Sequence, residues 1–321
     1  MKFPVFDLHC DTALALLNNE DNSIGELKKN NLHIDLERAA ALDGYCQCFA
    51  CFTTPDMKKW TGKEPVVMFE QELAAIMRET EKNRDMISVV YTPEEIKANL
   101  VSGKMSAILT IEGPAGFDYD SELLDDLYNV GFRISTLGWN EKNPLCGSNV
   151  TGGGLTELGR EYVRKAQSLG ILVDVSHISD EAFWDIIEIT KSPVIASHSN
   201  SRAICDVSRN LTDEMFLAIC KTGGVVGINL YTDFLGENAD LDTVCTHIKH
   251  FLTLDPDGKH IALGGDLDGC ETLPAGFSGI DDYQKLAEQL MEHGISQEII
   301  QNIFWNNAYE VIKNAVPEHK K

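Results

Sequence analysis

A chain of 321 residues, 43% of them hydrophobic, can bury one large core or two modest ones. Its 50 acids against 27 bases leave a net charge of −23, a surface that repels phosphate backbones and excludes nucleic acid as a natural partner. No apolar run approaches a membrane span, and Asp7 interrupts the first one too early for an export signal. The nine cysteines, odd in number and scattered, suit reduced thiols, so a cytoplasmic setting without membrane attachment is expected.

In chain order, short β-rich apolar runs occupy residues 3–8, 46–52, 107–111, 133–136, 171–175, 194–196, 225–228 and 261–263. Amphipathic helical patterns over 66–82, 157–169, 181–190, 212–221 and 242–254 lie between them. Strand–helix alternation repeated in this way predicts parallel pairing with right-handed crossovers. About eight such units close into a (β/α)8 barrel of the TIM type more readily than they spread into an open doubly wound sheet. An open sheet would carry a Gly-rich phosphate turn after its first strand, where His9-Cys10-Asp11-Thr12 stands instead. Runs such as Ile171-Leu172-Val173 are apolar throughout, as strands buried on both faces are. Residues 21–41 read as a charged excursion after the first strand, and residues 296–314 as a C-terminal helix with Ser296 at its N-cap and Glu298 close behind. No linker or repeat divides the pattern, so residues 1–321 are expected to form a single barrel domain.

His9, Asp11, Glu112, His177, His198, Asp266 and Asp268 each follow directly on one of these strands. In a barrel those carboxyl ends converge on one face, where imidazoles and carboxylates together suit a zinc ion or another divalent metal. Residues two apart on a strand share a side, so His9 and Asp11 are expected to face the barrel mouth and Cys10 to face away. A buried Glu112 needs a positive partner, which a bridging place between two ions would supply; an N-cap or a salt bridge is the plainer alternative. Two Ser-His endings on successive strands, at His177 and His198, look like paired ligands.

Gly265-Asp266-Leu267-Asp268-Gly269 ends the last strand with two acids on one side, one able to carry a proton, while Asp268 suits helix capping equally well. Arg209 suits a substrate carboxylate by a two-pronged hydrogen bond, and on spacing alone a surface salt bridge as well. The triplet Cys46, Cys48 and Cys51 reads as small hydrophobes on a strand. His33, His247, His250, His260, His293 and His319 are expected to be solvated, and Gly152-Gly153-Gly154 to be a flexible loop.

Asp7-Leu8-His9-Cys10-Asp11, Ile111-Glu112-Gly113, Asp174-Val175-Ser176-His177, Ser197-His198-Ser199, Ser208-Arg209-Asn210 and Gly264-Gly265-Asp266-Leu267-Asp268-Gly269 resemble, in this order, the membrane (renal) dipeptidase family of the amidohydrolase superfamily. The resemblance runs from Asp7 to about Asn307. It implies one zinc on His9 and Asp11, a second on His177 and His198, and Glu112 bridging the two. It further implies Arg209 at the substrate carboxylate, Asp266 as proton carrier, a homodimer, and dipeptide substrates that include D residues at the C-terminal position. The reaction implied is peptide hydrolysis by a hydroxide held between the metals, with N-acyl amino acids or other small amides as the alternative substrates. A non-catalytic scaffold is the reading from another class, and metal content separates it from an enzyme. The sequence departs from the family at Leu137-Gly138-Trp139-Asn140, where Trp139 stands in place of a substrate-contacting histidine and brings one donor but no titratable proton.

Overall fold

The computed structural model describes residues 2–18 and 23–315. Eight barrel strands follow in chain order: β1 (Val5–Cys10), β2 (Tyr45–Phe52), β3 (Met105–Glu112), β4 (Phe132–Thr136), β5 (Leu172–Asp174), β6 (Val194–Ile195), β7 (Val226–Ile228) and β8 (Ile261–Leu263). Each pairs in parallel with the next from β1 to β6, then β7 with β8 and β8 with β1. A parallel bridge between Ala196 and Val226 closes the ring from β6 to β7; Gly227 N–H donates to Ala196 O there at 2.8 Å. The expected (β/α)8 barrel is therefore present, with crossover helices such as Pro65–Lys82, Glu157–Leu169, Asp213–Thr222 and Leu241–Leu254 around it.

Alternate residues of the strands feed two separate cores. Phe6, Leu8, Cys46, Cys48, Ile108, Ile134, Leu172, Ile195 and Ala262 form the barrel interior, which Trp305, Tyr309 and Ile312 of the C-terminal helix plug from below. Their neighbours in sequence, such as Val5, Phe49, Leu109, Phe132, Val173 and Leu263, pack outward against the helices. The cysteines of β2 thus serve as small core residues, and all nine cysteines are free thiols.

The C-terminal helix differs from the continuous one expected. Gln297–Gln301 gives way to a π-helical turn, Asn302–Asn306, before Asn307–Ala315. The wide turn buries three consecutive residues, Ile303, Phe304 and Trp305, so that one turn reaches both cores. It also aims Asn307 Nδ2 at Gly258 O and Ile261 O, 2.7 Å from each. Two features lie outside the sequence expectation: a parallel strand, Ile87–Val89, added to β3, and a hairpin of Gly25–Glu26 with Lys29–Asn30 inside the excursion. Residues 21–22 of that excursion, and His319, lie outside the described residues.

His247 is a correction to the expected solvated histidines. It is fully buried; its Nδ1 accepts from Ser201 N–H (3.2 Å) and its Nε2 donates to Leu235 O (3.0 Å). A helix pattern places His247 one turn from polar surface, and only the packing of the 232–235 turn against that helix shows a carbonyl waiting for it. His33, His250, His260 and His293 are half-buried, each with a polar partner.

Candidate active site

The carboxyl ends of the strands bring the chemistry together, but β1 needs a device to do so. Phe6 and Leu8 point into the barrel, so strict alternation would turn His9 outward. The register of β1 against β2 slips between Asp7 and Cys10. Beyond this bulge Cys10 packs in the outer core, and His9 and Asp11 enter the mouth instead. Asp7, buried within an apolar strand, anchors the bulge. Its Oδ1 accepts from His9 N–H (3.0 Å), both its oxygens accept from Gly265 N–H (3.1 Å each), and Tyr283 OH donates to Oδ2. The first and last strands are thereby locked in register beside the site.

His9 Nε2 lies 3.3 Å from Asp11 Oδ2, 3.3 Å from Glu112 Oε2 and 3.8 Å from Asp266 Oδ1. The other oxygen of Glu112, Oε1, faces His177 Nε2 (3.2 Å) and His198 Nε2 (3.9 Å). Glu112 therefore divides the cluster, with one oxygen for each half. His177 Nε2 and His198 Nε2 stand 2.9 Å apart. Their remaining ring nitrogens have acceptors: Asn140 Oδ1 lies 3.2 Å from His177 Nδ1, and Ser197 Oγ 2.6 Å from His198 Nδ1. Ser197 Oγ in turn donates to Asp174 Oδ2 at 2.5 Å, so it receives the proton of His198 Nδ1. This Asp174–Ser197–His198 relay fixes the tautomer of His198 as Asn140 Oδ1 fixes that of His177, and both Nε2 lone pairs are left pointing at each other.

That arrangement fits a metal centre. Two bare imidazole nitrogens at 2.9 Å repel unless a cation lies between or beside them. Bonds of about 2.1 Å in a tetrahedral shell place ligand atoms about 3.4 Å apart, close to the 3.2 and 3.3 Å seen around Glu112. His9, Glu112 and His198 present one set of converging donor atoms, and His9, Asp11 and Asp266 another. Gly269 completes the cradle, because a Cβ there would stand 2.0 Å from Asp11 Oδ2 and 2.9 Å from Asp266 Oδ1.

The electrostatics agree. Burial depresses His177 and His198 well below the ordinary histidine range, aided by the charges of Arg209 and His9, so both rings are neutral donors. At His9 burial also opposes the charge, but Glu112 and Asp11 outweigh it and hold the imidazole well above its usual value. Burial pushes Glu112 up to about 7, with His9 opposing the rise and Asp11 adding to it. Burial raises Asp266 as well, against the pull of His9. The acids here demand positive charge, and divalent ions supply it without protonating a ligand.

His177, Asp266 and Asp268 all take positive φ values (70°, 57° and 66°). Such left-handed residues cost roughly 1–3 kcal/mol each outside glycine and gather at functional sites. The turns correct the expectation that Asp266 and Asp268 share a side in strand fashion, since β8 has already ended at Leu263. Asp266 points to the cluster, its Oδ2 held by Asn229 Nδ2 at 3.0 Å. Asp268 turns away to accept from Thr12 Oγ1 and His33 N–H, both at 2.6 Å, and so ties the excursion to the mouth.

Arg209 is buried, contrary to a surface salt bridge. Its Nη1 donates to Ser199 Oγ (2.7 Å), whereas Nε and Nη2, which form one edge of the guanidinium fork, have no protein acceptor among the described residues. Trp139 lines the cavity above the cluster, half-buried, its ring 6.1 Å from that of His177. Sequence reasoning missed Asp7, Asp174, Ser197, Asn140 and Asn229 as parts of the site. A charge inside a buried strand was the available signal for Asp7 and for Asp174; Ser197, Asn140 and Asn229 become visible only through contacts.

A family model described as membrane dipeptidase (peptidase family M19) matches residues 1–320. The chain is 29% identical to an uncharacterized dipeptidase of Schizosaccharomyces pombe, over 97% of this chain and 80% of that protein. It is 31% identical to an uncharacterized protein of Klebsiella pneumoniae over 78% of this chain and 97% of that one. A Rhodobacter sphaeroides metallopeptidase, solved with a phosphinate mimic of the dipeptide L-Ala-D-Ala, matches with a TM-score of 0.88 at 25% identity, covering 98% of this chain and all of its own.

Proposed function

Because the chain belongs to the membrane dipeptidase family, we propose that this metallopeptidase is a two-zinc dipeptidase that accepts a D residue at the C-terminal position. The observation that carries the reading is the pair of facing imidazole nitrogens beside a carboxylate whose two oxygens serve two halves of one cluster. In this reading His9 and Asp11 would hold one ion and His177 and His198 the other, with Glu112 as the shared ligand. Two divalent ions bound there would make water nucleophilic at neutral pH and polarise the scissile carbonyl.

The chain's own residues do the rest. The free edge of Arg209, Nε with Nη2, receives the substrate carboxylate in two parallel charge-assisted bonds. That grip limits substrates to short molecules and sets the carbonyl over the cluster. Asp266 takes the proton of the attacking water on Oδ1 and returns it to the leaving amine, while Asn229 fixes its other oxygen. Trp139 covers one side of the bound molecule in place of a titratable group and brings no proton to the reaction, which rests on Asp266. The free thiols suit a reducing cytoplasm, and the family habit suggests a homodimer.

A panel of L,L and L,D dipeptides, with N-acyl amino acids as controls, tests the reading on zinc-loaded protein. Dipeptides should be cleaved and N-acyl amino acids spared. Preferential cleavage of the N-acyl amino acids would replace the dipeptidase assignment by that of an acyl-amino-acid hydrolase.

A further inference from the structure

The cavity over the cluster, of about 380 Å³, has two unlike sides. On one side stand Tyr231 and Phe234, and the Phe234 ring lies 5.5 Å from the guanidinium carbon of Arg209. On the other stand Leu14, Phe52 and Trp139. Trp139 packs edge-on against Phe52 (ring centroids 5.3 Å apart, 72° between planes) and against Trp60 (5.4 Å, 78°). Trp60 closes this row at the rim with 51% of its surface exposed, although it belongs to a helix, Met57–Thr61, that buries Met57.

We propose that Phe52, Trp139 and Trp60 form the side-chain subsite for the N-terminal residue of a dipeptide, and that they select large apolar residues there, aromatic ones above all. The inference rests on the dipeptidase reading above and adds the substrate class to it.

The barrel decides which end of the substrate meets this wall. Arg209 follows β6, and in a ring of eight strands β6 stands opposite β2, whose last residue is Phe52. A dipeptide whose carboxylate is held by Arg209 places its C-terminal side chain near Phe234. Its scissile carbonyl then lies over the histidines, and its N-terminal residue reaches the β2 and β4 side. Two of the three rings of the wall, Phe52 and Trp139, are held by packing. Phe52 N–H donates to the buried Glu72 Oε2 at 2.6 Å, and Met57, Met68, Leu14 and Leu17 pack with Phe52 and Trp139. Edge-to-face rings offer a further aromatic ring a ready-made partner at low entropic cost. A histidine in place of Trp139 would present a smaller, polar face to the same space.

The test is the steady-state kinetics of zinc-loaded, full-length protein on Gly-Ala, Ala-Ala, Leu-Ala and Phe-Ala, beside the reversed series Ala-Gly to Ala-Phe. In the first series kcat/KM should rise roughly tenfold to a hundredfold from Ala-Ala to Phe-Ala, mainly through KM. Trp139→His and Trp60→Ala should each shrink the Phe-Ala to Ala-Ala ratio severalfold. Trp60→Ala changes only a half-exposed side chain, so it keeps the test alive should Trp139→His fold poorly. Tryptophan fluorescence titrations with phosphinate mimics of Phe-Ala and Ala-Ala should give the same order of affinities without turnover. A flat first series with active cleavage, a preference confined to the reversed series, or ratios untouched by both variants would overturn the subsite and leave the dipeptidase reading intact. Failure to cleave any dipeptide would overturn both.

Discussion

Replacing Arg209 by alanine isolates the grip on the substrate from the chemistry. The guanidinium is buried, and its Nε and Nη2 donors have no protein acceptor among the described residues. Two charge-assisted bonds to a carboxylate contribute roughly 3–6 kcal/mol together, and water entering the space left by the side chain recovers part of that. The net loss in kcat/KM should be about 2–5 kcal/mol, or roughly 30- to 5,000-fold, carried mainly by KM. Measuring each dipeptide beside its C-terminal amide turns this into a cycle. The amide lacks the charge that Arg209 would hold, so the variant should hardly change its kinetics. Arg209→Lys keeps the charge but not the planar edge and should fall between. Thermal unfolding should move little, because the variant removes a buried charge whose side chain, among the described residues, donates a hydrogen bond only to Ser199 Oγ. Equal losses for the dipeptide and its amide, or none for either, would refute the carboxylate grip.

Elemental analysis should find two zinc-like ions per chain, with Glu112→Ala weakening both sites; one tight ion indifferent to that change would argue against bridging. Stripping the metals with a chelator should lower the Tm and zinc should restore it, since ions that bind only the folded chain stabilise it; an unchanged Tm would count against a built metal centre. Asp266→Asn should keep both metals and still bind dipeptide, yet lose roughly 10²–10⁴ in kcat. Asp268→Asn should cost far less in kcat, because that carboxylate is occupied by Thr12 and His33; equal damage, or metal loss from Asp266→Asn, would undo this division. Asp7→Ala leaves three buried donors without their acceptor and should cost roughly 3–5 kcal/mol in denaturant unfolding while weakening zinc binding. Intact zinc affinity in that variant would show that Asp7 holds the strands but not the site.

The barrel and the cluster were legible in the chain because both are written in local pattern. A parallel barrel strand is apolar throughout, so a His, Asp or Glu directly after such a run marks the carboxyl-end face. His9, Glu112, His177, His198 and Asp266 all carry that mark and meet in one cluster. The ninth strand, Ile87–Val89, is too short to show a period, and the π turn at Asn302–Asn306 answers to two cores at once. Contacts between distant segments decided everything finer. His9 was expected at the mouth, but alternation counted from the inward Phe6 and Leu8 turns it outward, and the bulge braced by Asp7 against Gly265 and Tyr283 brings it in. The left-handed turns send Asp266 and Asp268 to different partners although they sit two residues apart. Whether Arg209 lay at the surface or stood buried with a free edge, and whether Trp139 stood alone or joined Phe52 and Trp60, depended on neighbours far off in sequence. Strand identity follows from which side chains must avoid water, and the chain states that directly. The aim of a polar side chain follows from which donors and acceptors surround it, and those assemble only when the barrel closes.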